Sequence, residues 1–281
     1  MSNSSKLSLT SIILTFNEEL HIERCLKNVC PISEKVYVID CFSKDRTCEI
    51  ASKFDNVEVV QHEWPGNQAA QFNWFIDNHE IASDWILRLD ADEYLSEEAV
   101  KEITETLPSL PQDVTGCVMK RDIIFLGKRI KHGKLKTIKL LRIWRTGKGR
   151  IENREMDEHA ILTEGRSIEL KNWFFDDNLN GIDAWIRKHL DYANRESKSQ
   201  LVNEATTAEA SATDMGARNK QKSRYYSLPK FWRGFMFFVL RYIFLGGFLD
   251  GKQGFVWNFM QCWWYRTLVD VKIEEQSKAK A

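Results

Sequence analysis

Two patterns of hydrophobic and polar positions alternate along the first 107 residues. Short apolar runs rich in β-branched residues are typical of buried strands, and apolar residues spaced three or four apart are typical of helices. Strands are predicted at 9–15, 36–39, 57–60 and 85–89, and helices after them at 17–29, 47–54, 68–78 and 96–107. Four strand–helix repeats indicate βαβ units and a mainly parallel sheet.

The pattern changes after Gly116. Apolar runs predict further strands at 117–119, 123–126, 138–144 and 160–163, around a basic stretch that glycines interrupt. A helix is predicted from Gly181 to about Gln200, and the small polar residues at 203–224 indicate a weakly helical segment or a linker. An aromatic region follows, because 16 of the 33 aromatic residues lie between Tyr225 and Tyr265.

Charge is distributed unevenly, although 40 basic and 40 acidic side chains balance over the 281 residues. Residues 1–119 carry a net charge of −12, and residues 120–154 carry +11. The hydrophobic fraction of 43% excludes a disordered chain. The length allows one large α/β domain or two small ones.

Several classes of protein lack support in the sequence. The N-terminus has no apolar stretch or cleavage site typical of a signal peptide. The six cysteines show no CxxC spacing, which indicates reduced thiols of a cytosolic protein rather than a disulfide framework or a zinc site. The motifs GxxxxGK[ST], GxSxG and HExxH are all missing.

Acidic clusters end three of the predicted strands. They lie at 15–18, 40–45 and 90–93, and ligands of open α/β sheets bind at such carboxyl ends. The tripeptide Asp90-Ala91-Asp92 offers two hard carboxylate ligands, which suit Mg²⁺ or Mn²⁺ carried by a diphosphate. The tripeptide alone fits equally well an acidic turn before the helix that Ser96 caps.

The strand ends and the helix after the third strand resemble the inverting glycosyltransferases of family 2, which have the GT-A fold. The resemblance covers about residues 8–110 and is carried by the segments 11–19, 39–47, 66–73 and 85–93. Three later segments, at 130–133, 156–159 and 185–193, resemble a bacterial branch of this family. That branch adds sugars to lipopolysaccharide core, capsule or exopolysaccharide intermediates.

The resemblance implies a nucleotide-sugar pocket at the strand ends. Asp40 is expected near the uracil or ribose, and Gln71 and Asn73 near the ribose or pyrophosphate. Arg88 is expected to support the strand edge or a phosphate. Asp90 is expected at the ribose or the metal ion, and Asp92 at the metal ion, Mg²⁺ or Mn²⁺. A plain helix cap is the alternative role for Asn17 and is compatible with substrate contact. The pocket residues implied in this way are Thr15, Asn17, Glu18, Asp40, Ser43, Asp45, Gln71, Asn73, Arg88 and Asp90.

An inverting transfer needs one general base for the acceptor hydroxyl. The family places this carboxylate after the Asp-x-Asp motif, where Asp157-Glu158-His159 is the matching site. Glu158 is the first candidate and Asp157 the second, while His159 is expected at the diphosphate or the metal. The alternative is a charged surface turn at the start of a strand. His132 and His189 are weaker candidates.

The basic segment and the aromatic region predict anionic and membrane partners. The basic segment lacks any nucleic-acid-binding motif, so nucleic-acid binding is disfavoured and an anionic acceptor or membrane surface is preferred. The run at 231–249 approaches spanning length, but Arg233 and Arg241 interrupt it, which favours a helix lying in the plane of the membrane. A buried core hairpin is the alternative.

These observations predict an α/β protein with a GT-A, Rossmann-like, mainly parallel sheet and a helical, aromatic-rich C-terminal region. The catalytic domain is placed at 1–224, with a nucleotide-binding part at 8–110, an acceptor-side part at 111–202 and a linker at 203–224; a membrane-docking region follows at 225–281. The expected activity is transfer of a hexose from a UDP-sugar to a lipid-linked saccharide acceptor, at the inner face of the cytoplasmic membrane. A non-catalytic nucleotide-sugar-binding scaffold of a polysaccharide assembly complex is the alternative.

Overall fold

The first half of the chain forms the predicted parallel strands. The computed structural model describes residues 7–152, 159–205 and 225–278. Seven consecutive residues of the first strand are buried, because the sheet is covered on both faces. The strands β1 (Leu7–Thr15), β2 (Ser33–Asp40), β3 (Val57–Gln61) and β4 (Trp85–Asp90) lie in the order β3-β2-β1-β4 with every neighbouring pair parallel.

Four helices follow these strands, and two of them begin at side-chain caps. Asn67 Oδ1 accepts the N–H of Ala70 at 2.7 Å, and Ser96 Oγ accepts the N–H of Ala99 at 3.1 Å, which confirms the predicted cap at Ser96. The helices are α1 (Ile22–Val29), α2 (Thr47–Ala51), α3 (Gln68–Asn78) and α4 (Glu97–Thr106), and a 3-10 turn at Leu107–Ser109 follows the last.

The second half of the main sheet is mixed. It continues from β4 with β8 (Ile138–Arg145), β6 (Val114–Phe125), β11 (Arg166–Asp176) and β5 (Glu93–Leu95), in that order. Only the β6–β11 pair of these neighbours is parallel. Two predicted strands, at 117–119 and 123–126, are one continuous strand, and β11 is absent from the predicted elements because polar residues interrupt its apolar pattern. The short strand β7 (Lys128–Ile130) follows β6, and β9 (Gly149–Ile151) and β10 (Ala160–Leu162) form a separate antiparallel two-stranded sheet.

Alternate residues of β1 pack into two different apolar clusters, because successive side chains of a strand point to opposite faces. Ile13 belongs to the cluster that includes buried residues of α1 and α4. Ile12 belongs to a second cluster with Phe72 of α3 and Trp144 of β8. The two clusters cover the two faces of the sheet and so fix which side chains of β1 point to each face.

A buried ion pair joins β5 to β8. Arg142 Nη2 donates to Glu93 Oε1 at 2.5 Å, and the two side chains are 4% and 2% exposed. The guanidinium of Arg142 also lies 4.8 Å from the ring centre of Phe174. Burial raises the pKa of Glu93 above its ordinary value, and Arg142 opposes that rise. The charge on Glu93 therefore depends on Arg142.

The aromatic region forms helices held together by buried polar side chains. Glu196 accepts hydrogen bonds from the hydroxyls of Tyr226 at 2.7 Å and Tyr265 at 2.6 Å, and the buried Arg233 pairs with Asp270. The helices are α5 (Gly181–Ala205), α6 (Trp232–Val239), α7 (Gly251–Asn258) and α8 (Tyr265–Lys278), with π-helical turns at Leu240–Phe244 and Phe259–Trp264 and a 3-10 turn at Gly247–Asp250.

The glycines of the segment 251–255 predict a break in the helices, but the structure interrupts them earlier, at residues 245–246, and the predicted break is part of α7. The segments Trp232–Phe244 and Gly247–Lys278 meet at an angle of 72°. Gly246 has a φ of 72°, a left-handed conformation that glycine adopts without strain and that ends the first segment. Among the described helices, none has by itself the length and apolar character needed to cross a membrane, whereas this bent pair together meets both criteria.

The chain divides into two compact units with a boundary that differs from the predicted one. The first unit contains Met1–Ile124 and Thr137–Leu179, and the second contains Phe125–Lys136 and Asn180–Ala281. Helix α5 groups with the aromatic helices because Ala193 packs against Val269 of α8. The predicted linker at 203–224 falls largely on residues outside the described part, and α5 extends to residue 205.

We expect Arg142→Met to lower the free energy of unfolding by about 3 kcal/mol, because removing one partner of a buried pair leaves the other uncompensated. Glu93 would then have to fold either as an unpaired carboxylate or as a protonated acid. Urea denaturation at fixed pH measures the loss. The control is Arg150→Met, whose ion pair with Asp77 is about half exposed and is expected to contribute at most about 1 kcal/mol. Equal losses of unfolding free energy in the two variants would contradict the stabilising role of the buried Arg142–Glu93 ion pair.

Candidate active site

Three polar residues at strand ends lie side by side, as the sequence predicts. In the β1–β2 pair Thr15 is opposite Asp40, and in the β1–β4 pair Leu14 is opposite Asp90. Parallel strands place these carboxyl ends at one edge of the sheet. The predicted convergence of the strand-end carboxylates is therefore confirmed by the register.

The loops after β1 and β2 are bound to each other through backbone–side-chain hydrogen bonds. Asn17 donates its N–H to Ser43 Oγ at 2.8 Å, and its own Oδ1 accepts the N–H of Lys44 at 2.9 Å. Glu18 donates its N–H to Thr47 Oγ1 at 2.8 Å. The two loops consequently form one rigid wall beside the strand ends.

The prediction that Asn17 caps the first helix is wrong. Asn17 has a φ of 55°, and α1 begins only at Ile22. Asparagine tolerates the left-handed region because its short side chain finds local partners. Here that partner is the loop after β2, so Asn17 connects two loops rather than starting a helix.

Asp45 shapes the same wall. Its carboxylate accepts the N–H of Glu19 at 3.1 Å and the N–H of Thr47 at 3.0 Å. Burial acts to raise the pKa of Asp45, but the hydrogen bonds from Thr47 and Glu19 outweigh it and hold the pKa below its ordinary value. Asp45 is therefore an ionised anchor of the loop.

Asp40 is fully buried and already surrounded by donors. Its carboxylate accepts the hydroxyl of Thr15 at 3.1 Å, the N–H of Ser43 at 2.8 Å and the Ser43 hydroxyl, and Gln61 Nε2 lies at 3.5 Å. The expected approach of Asp40 to the uracil or ribose stays a prediction. In this structure the carboxylate oxygens of Asp40 are occupied by donors of the protein itself.

Gln71 and Asn73 also have protein partners. Gln71 is fully buried, with its Oε1 2.7 Å from Nδ1 of His62 and its Nε2 directed to Cys41 Sγ at 3.3 Å. Asn73 donates to the carbonyl of Ile151 at 2.7 Å and accepts the N–H of the same residue at 3.1 Å. Both side chains are held by the protein, and their contact with ribose or pyrophosphate stays a prediction.

Asp90 is held by residues on both sides. Arg88 Nη2 lies 3.4 Å from Asp90 Oδ1 and donates to Gln68 at 3.1 Å. The expected role of Arg88 at the strand edge or a phosphate stays a prediction. The N–H of Asp90 donates to Glu93 Oε2 at 3.1 Å. Glu93 ends the acidic cluster at 90–93, but the sequence alone assigns it no separate role.

Asp92 contacts a segment far away in the chain. Asn178 Nδ2 donates to Asp92 Oδ2 at 3.1 Å, and the Asp92 carbonyl accepts the N–H of Asp177 at 3.0 Å and Arg24 Nη2 at 3.3 Å. Sequence reasoning misses Arg24, Asp177 and Asn178 as site residues. No local pattern could reveal them, because the contacts to 177–178 cross more than 80 residues.

The donor set at Asp90 and Asp92 fits a divalent cation that arrives with a diphosphate. Mg²⁺ is typically bound by one or two carboxylates together with substrate phosphates and water. Across residues 7–152, 159–205 and 225–278, no group of three or more His, Cys, Asp or Glu side chains is arranged to hold a metal ion. A cation would thus need ligands beyond these two carboxylates.

The predicted base lies outside the described residues. Asp157 and Glu158 belong to the segment 153–158, which separates β9 from His159 and β10. The ends of that segment are defined, since the N–H of Glu152 donates to the carbonyl of His159 at 2.8 Å. The roles of Asp157, Glu158 and His159 stay predictions.

The two weaker histidine candidates have structural partners within the second unit. His189 is 8% exposed, its Nδ1 lies 2.8 Å from the Trp185 carbonyl, and its ring stacks on that tryptophan. Burial lowers the pKa of His189. His132 Nδ1 lies 2.9 Å from Asp250. These contacts favour structural roles for both.

Part of the predicted basic surface is neutralised inside the first unit. Lys120 and Lys139 both reach Glu169, at 3.6 and 2.5 Å, and Arg150 binds Asp77 at 2.8 Å. These side chains support the mixed strands and α3. A surface that binds an anionic partner would therefore have to be formed by the other basic residues of the segment 120–154.

We expect Asn73→Ala to lower the free energy of unfolding by about 1–3 kcal/mol, because it leaves the backbone N–H and C=O of Ile151 without their side-chain partner. Asn78→Ala is the control. Asn78 is an exposed residue of α3, the helix that also carries Asn73, and its amide donates to the carbonyl of Trp74 in that helix. Thermal or urea unfolding measures both. Equal stability of the two variants would contradict the stabilising role of the two Asn73–Ile151 hydrogen bonds.

Comparison with known proteins identifies the family. The model of "Glycosyl transferase family 2" matches residues 10–174, more than half of the chain. A sequence named "Uncharacterized glycosyltransferase" from Rickettsia bellii is 34% identical over 118 residues, covering 40% of this chain and 37% of the relative. "Lipopolysaccharide core biosynthesis glycosyltransferase LpsC" from Rhizobium meliloti is 24% identical over 164 residues, covering 57% and 59%.

A solved structure supports the fold over nearly the whole chain. The mannosyltransferase PcManGT from Pyrobaculum calidifontis, in complex with GDP-Man and Mn²⁺, aligns with a TM-score of 0.53 and 14% identity, covering 98% of this chain and 89% of that one. The α/β architecture with its helical, aromatic-rich C-terminal region is that of a GT-A protein. The chain spans less than two thirds of the length of the two sequence relatives. By the extent of the family match, this chain belongs to glycosyl transferase family 2.

Proposed function

We propose that the protein transfers a hexose, with inversion, from a UDP-sugar to a lipid-linked saccharide acceptor in the synthesis of lipopolysaccharide or another cell-surface polysaccharide. The observation that carries this proposal is the alignment of Thr15, Asp40 and Asp90 at one sheet edge in a family 2 chain. The similarity to LpsC, named as a glycosyltransferase of lipopolysaccharide core biosynthesis, supports the lipopolysaccharide context.

The donor would bind at the wall formed by the loops after β1 and β2. Backbone contacts keep Asn17 and Glu18 fixed beside Ser43 and Thr47, so the pocket needs little ordering when a nucleotide binds. Asp90 and Asp92 would hold Mg²⁺ or Mn²⁺ with the donor's diphosphate. When bound, the cation offsets the negative charge that develops on the leaving diphosphate.

The acceptor hydroxyl would attack the anomeric carbon on the face opposite the diphosphate. A new carbon–oxygen bond forms while the bond to the diphosphate breaks, and the hydroxyl proton passes to a carboxylate. Glu158 is proposed for this base, with Asp157 as the second candidate. Asn73 and the pair Glu152–His159 anchor the two strands from which this segment extends.

We expect Asp92→Ala and Glu158→Ala each to reduce UDP release with a lipid-linked acceptor by at least 100-fold, because they remove the metal ligand and the base. Asp55→Ala and Glu63→Ala, which change exposed carboxylates, are the matched controls. Chelation of divalent ions should reduce the wild-type rate in the same way. Full activity of both site variants would exclude this mechanism, and a retained anomeric configuration would exclude inversion.

Donor identity can be tested without knowing the acceptor. A ligand that binds only the folded state raises stability by mass action. UDP-sugars with Mn²⁺ are therefore expected to raise the melting temperature of the wild type, and GDP-sugars are the competing set. Stabilisation by GDP-sugars alone would contradict the proposed UDP specificity.

The second unit is proposed to dock on the inner face of the cytoplasmic membrane. Five large apolar side chains of this unit are between 50% and 75% exposed, and we take them together as its apolar face: Trp232, Ile243, Phe244, Phe248 and Leu249. Large exposed apolar surfaces of this kind are typical of protein or membrane contacts. Aromatic residues favour the interfacial layer of a bilayer.

A basic turn adjoins this apolar face. The N–H of Gly133 donates to the carbonyl of Leu245 at 2.9 Å, and Asp250 accepts the backbone N–H groups of Lys131 and His132 at 2.9 and 2.8 Å. Burial lowers the pKa of the nearby Lys134 to about 8. Cationic side chains beside an apolar face complement anionic lipid headgroups.

We expect the double variant Phe244→Ser/Leu249→Ser to weaken binding to vesicles containing phosphatidylglycerol by at least tenfold, because the transfer of two large apolar side chains is lost. The matched control is Trp64→Ser/Ile161→Ser, which changes exposed apolar residues of the first unit. Vesicle sedimentation measures both, with phosphatidylcholine vesicles as the neutral comparison. Unchanged binding by the first variant would contradict this docking face.

A further inference from the structure

The segment 177–179 closes the first unit next to the Asp-x-Asp turn. Immediately after β11, Asp177 donates its N–H to the Asp92 carbonyl at 3.0 Å. The next residue, Asn178, donates from Nδ2 to the Asp92 carboxylate oxygen Oδ2 at 3.1 Å. We call this segment the strap. It contacts both the backbone and the side chain of one proposed metal ligand.

Arg24 of α1 fixes the strap. Its Nη1 donates to Asp177 Oδ2 at 2.5 Å, and its Nη2 donates to the Asp177 carbonyl at 2.7 Å and to the Asp92 carbonyl at 3.3 Å. The guanidinium lies 4.6 Å from the ring centre of Tyr94. Planar guanidinium groups give such contacts a defined direction. Arg24 thereby joins the strap to the Asp92 turn at several points.

His21 connects the end of the strap to the proposed nucleotide pocket. It is fully buried, and its Nε2 lies 2.7 Å from the N–H of Leu179, which must be the donor. The neutral ring therefore carries its proton on Nδ1, which lies 2.5 Å from Glu18 Oε2. Glu18 is a predicted pocket residue. The strap consequently contacts the proposed metal ligand Asp92 directly and the pocket residue Glu18 through His21.

We propose that Asn178 is a positioning residue that orients the Asp92 carboxylate for a divalent cation, an inference that rests on the proposed metal role of Asp92. The amide N–H restricts rotation of the carboxylate, so less orientational freedom is lost when a cation binds. Hydrogen-bond partners of metal ligands typically contribute 10–100-fold to metal affinity. The contact joins two residues that are 86 positions apart in the chain.

The test compares Mn²⁺ affinity among four full-length proteins in the presence of UDP. They are the wild type, Asn178→Leu, Asp92→Ala and the control Asn78→Ala, which removes an exposed amide of the same unit. Leucine approximates the shape of asparagine but has no donor. Free Mn²⁺ is measured by electron paramagnetic resonance, and thermal unfolding without metal shows whether each variant is folded. Asn178→Ser serves as the second variant if the leucine protein does not fold.

We expect Asn178→Leu to bind Mn²⁺ about tenfold more weakly than the wild type and Asn78→Ala to bind it equally well. The Mn²⁺ concentration for half-maximal activity should rise by the same factor, with kcat at saturating Mn²⁺ changed less than twofold. A purely structural strap would instead lower the melting temperature and leave the Mn²⁺ affinity of the folded fraction unchanged, which would overturn the proposal.

The outcome for Asp92→Ala separates this proposal from the proposed function. Wild-type Mn²⁺ affinity in Asp92→Ala would remove the metal role of Asp92, and both proposals would fail together. Weakened binding in Asp92→Ala with wild-type binding in Asn178→Leu would overturn only the positioning role. Weakened binding in both, with a wild-type control, supports the positioning role of Asn178.

Discussion

The parallel register of β1 between β2 and β4 is the constraint on which the site depends. It sets Thr15 opposite Asp40 and Leu14 opposite Asp90, so chemistry carried by three separate segments meets at one edge. The side-chain period of a strand is two, and a slip of one residue would turn Ile12 and Ile13 to the wrong faces. Since these two side chains pack into separate clusters, the apolar core enforces the register that aligns the polar ends.

The Asp-x-Asp turn is held by elements that are distant in sequence. Glu93 accepts the N–H of Asp90 and is itself held by Arg142 of β8, while the strap and Arg24 bind the Asp92 carbonyl. A turn between two strands would otherwise be free to move, because neither of its ends fixes its side chains. The buried ion pair and the strap thus convert a short acidic turn into two carboxylates with defined directions.

Local patterns predicted those parts of the fold that local interactions determine. The bounds of α3 and the cap at Ser96 follow from apolar spacing and from side chains close in sequence. The left-handed Asn17 and the strand β11 depend instead on partners far along the chain, so the same patterns mislead or remain silent. For the site, the sequence predicts which strand ends meet, whereas Arg142 and Asn178 become visible only when distant segments are brought together.

The buried motif residues change how loss of activity should be interpreted. Asp40 and Gln71 have no exposed surface, and Asn73 is bound at both ends of its amide, so substituting any of them disturbs loops or strands before it affects a ligand. Asp90, by contrast, has a side chain that is 28% exposed at the same edge. A family motif therefore mixes groups that build the pocket with groups that can reach a substrate. Burial and hydrogen bonding separate the two, and only the second kind can report on donor or metal contact directly.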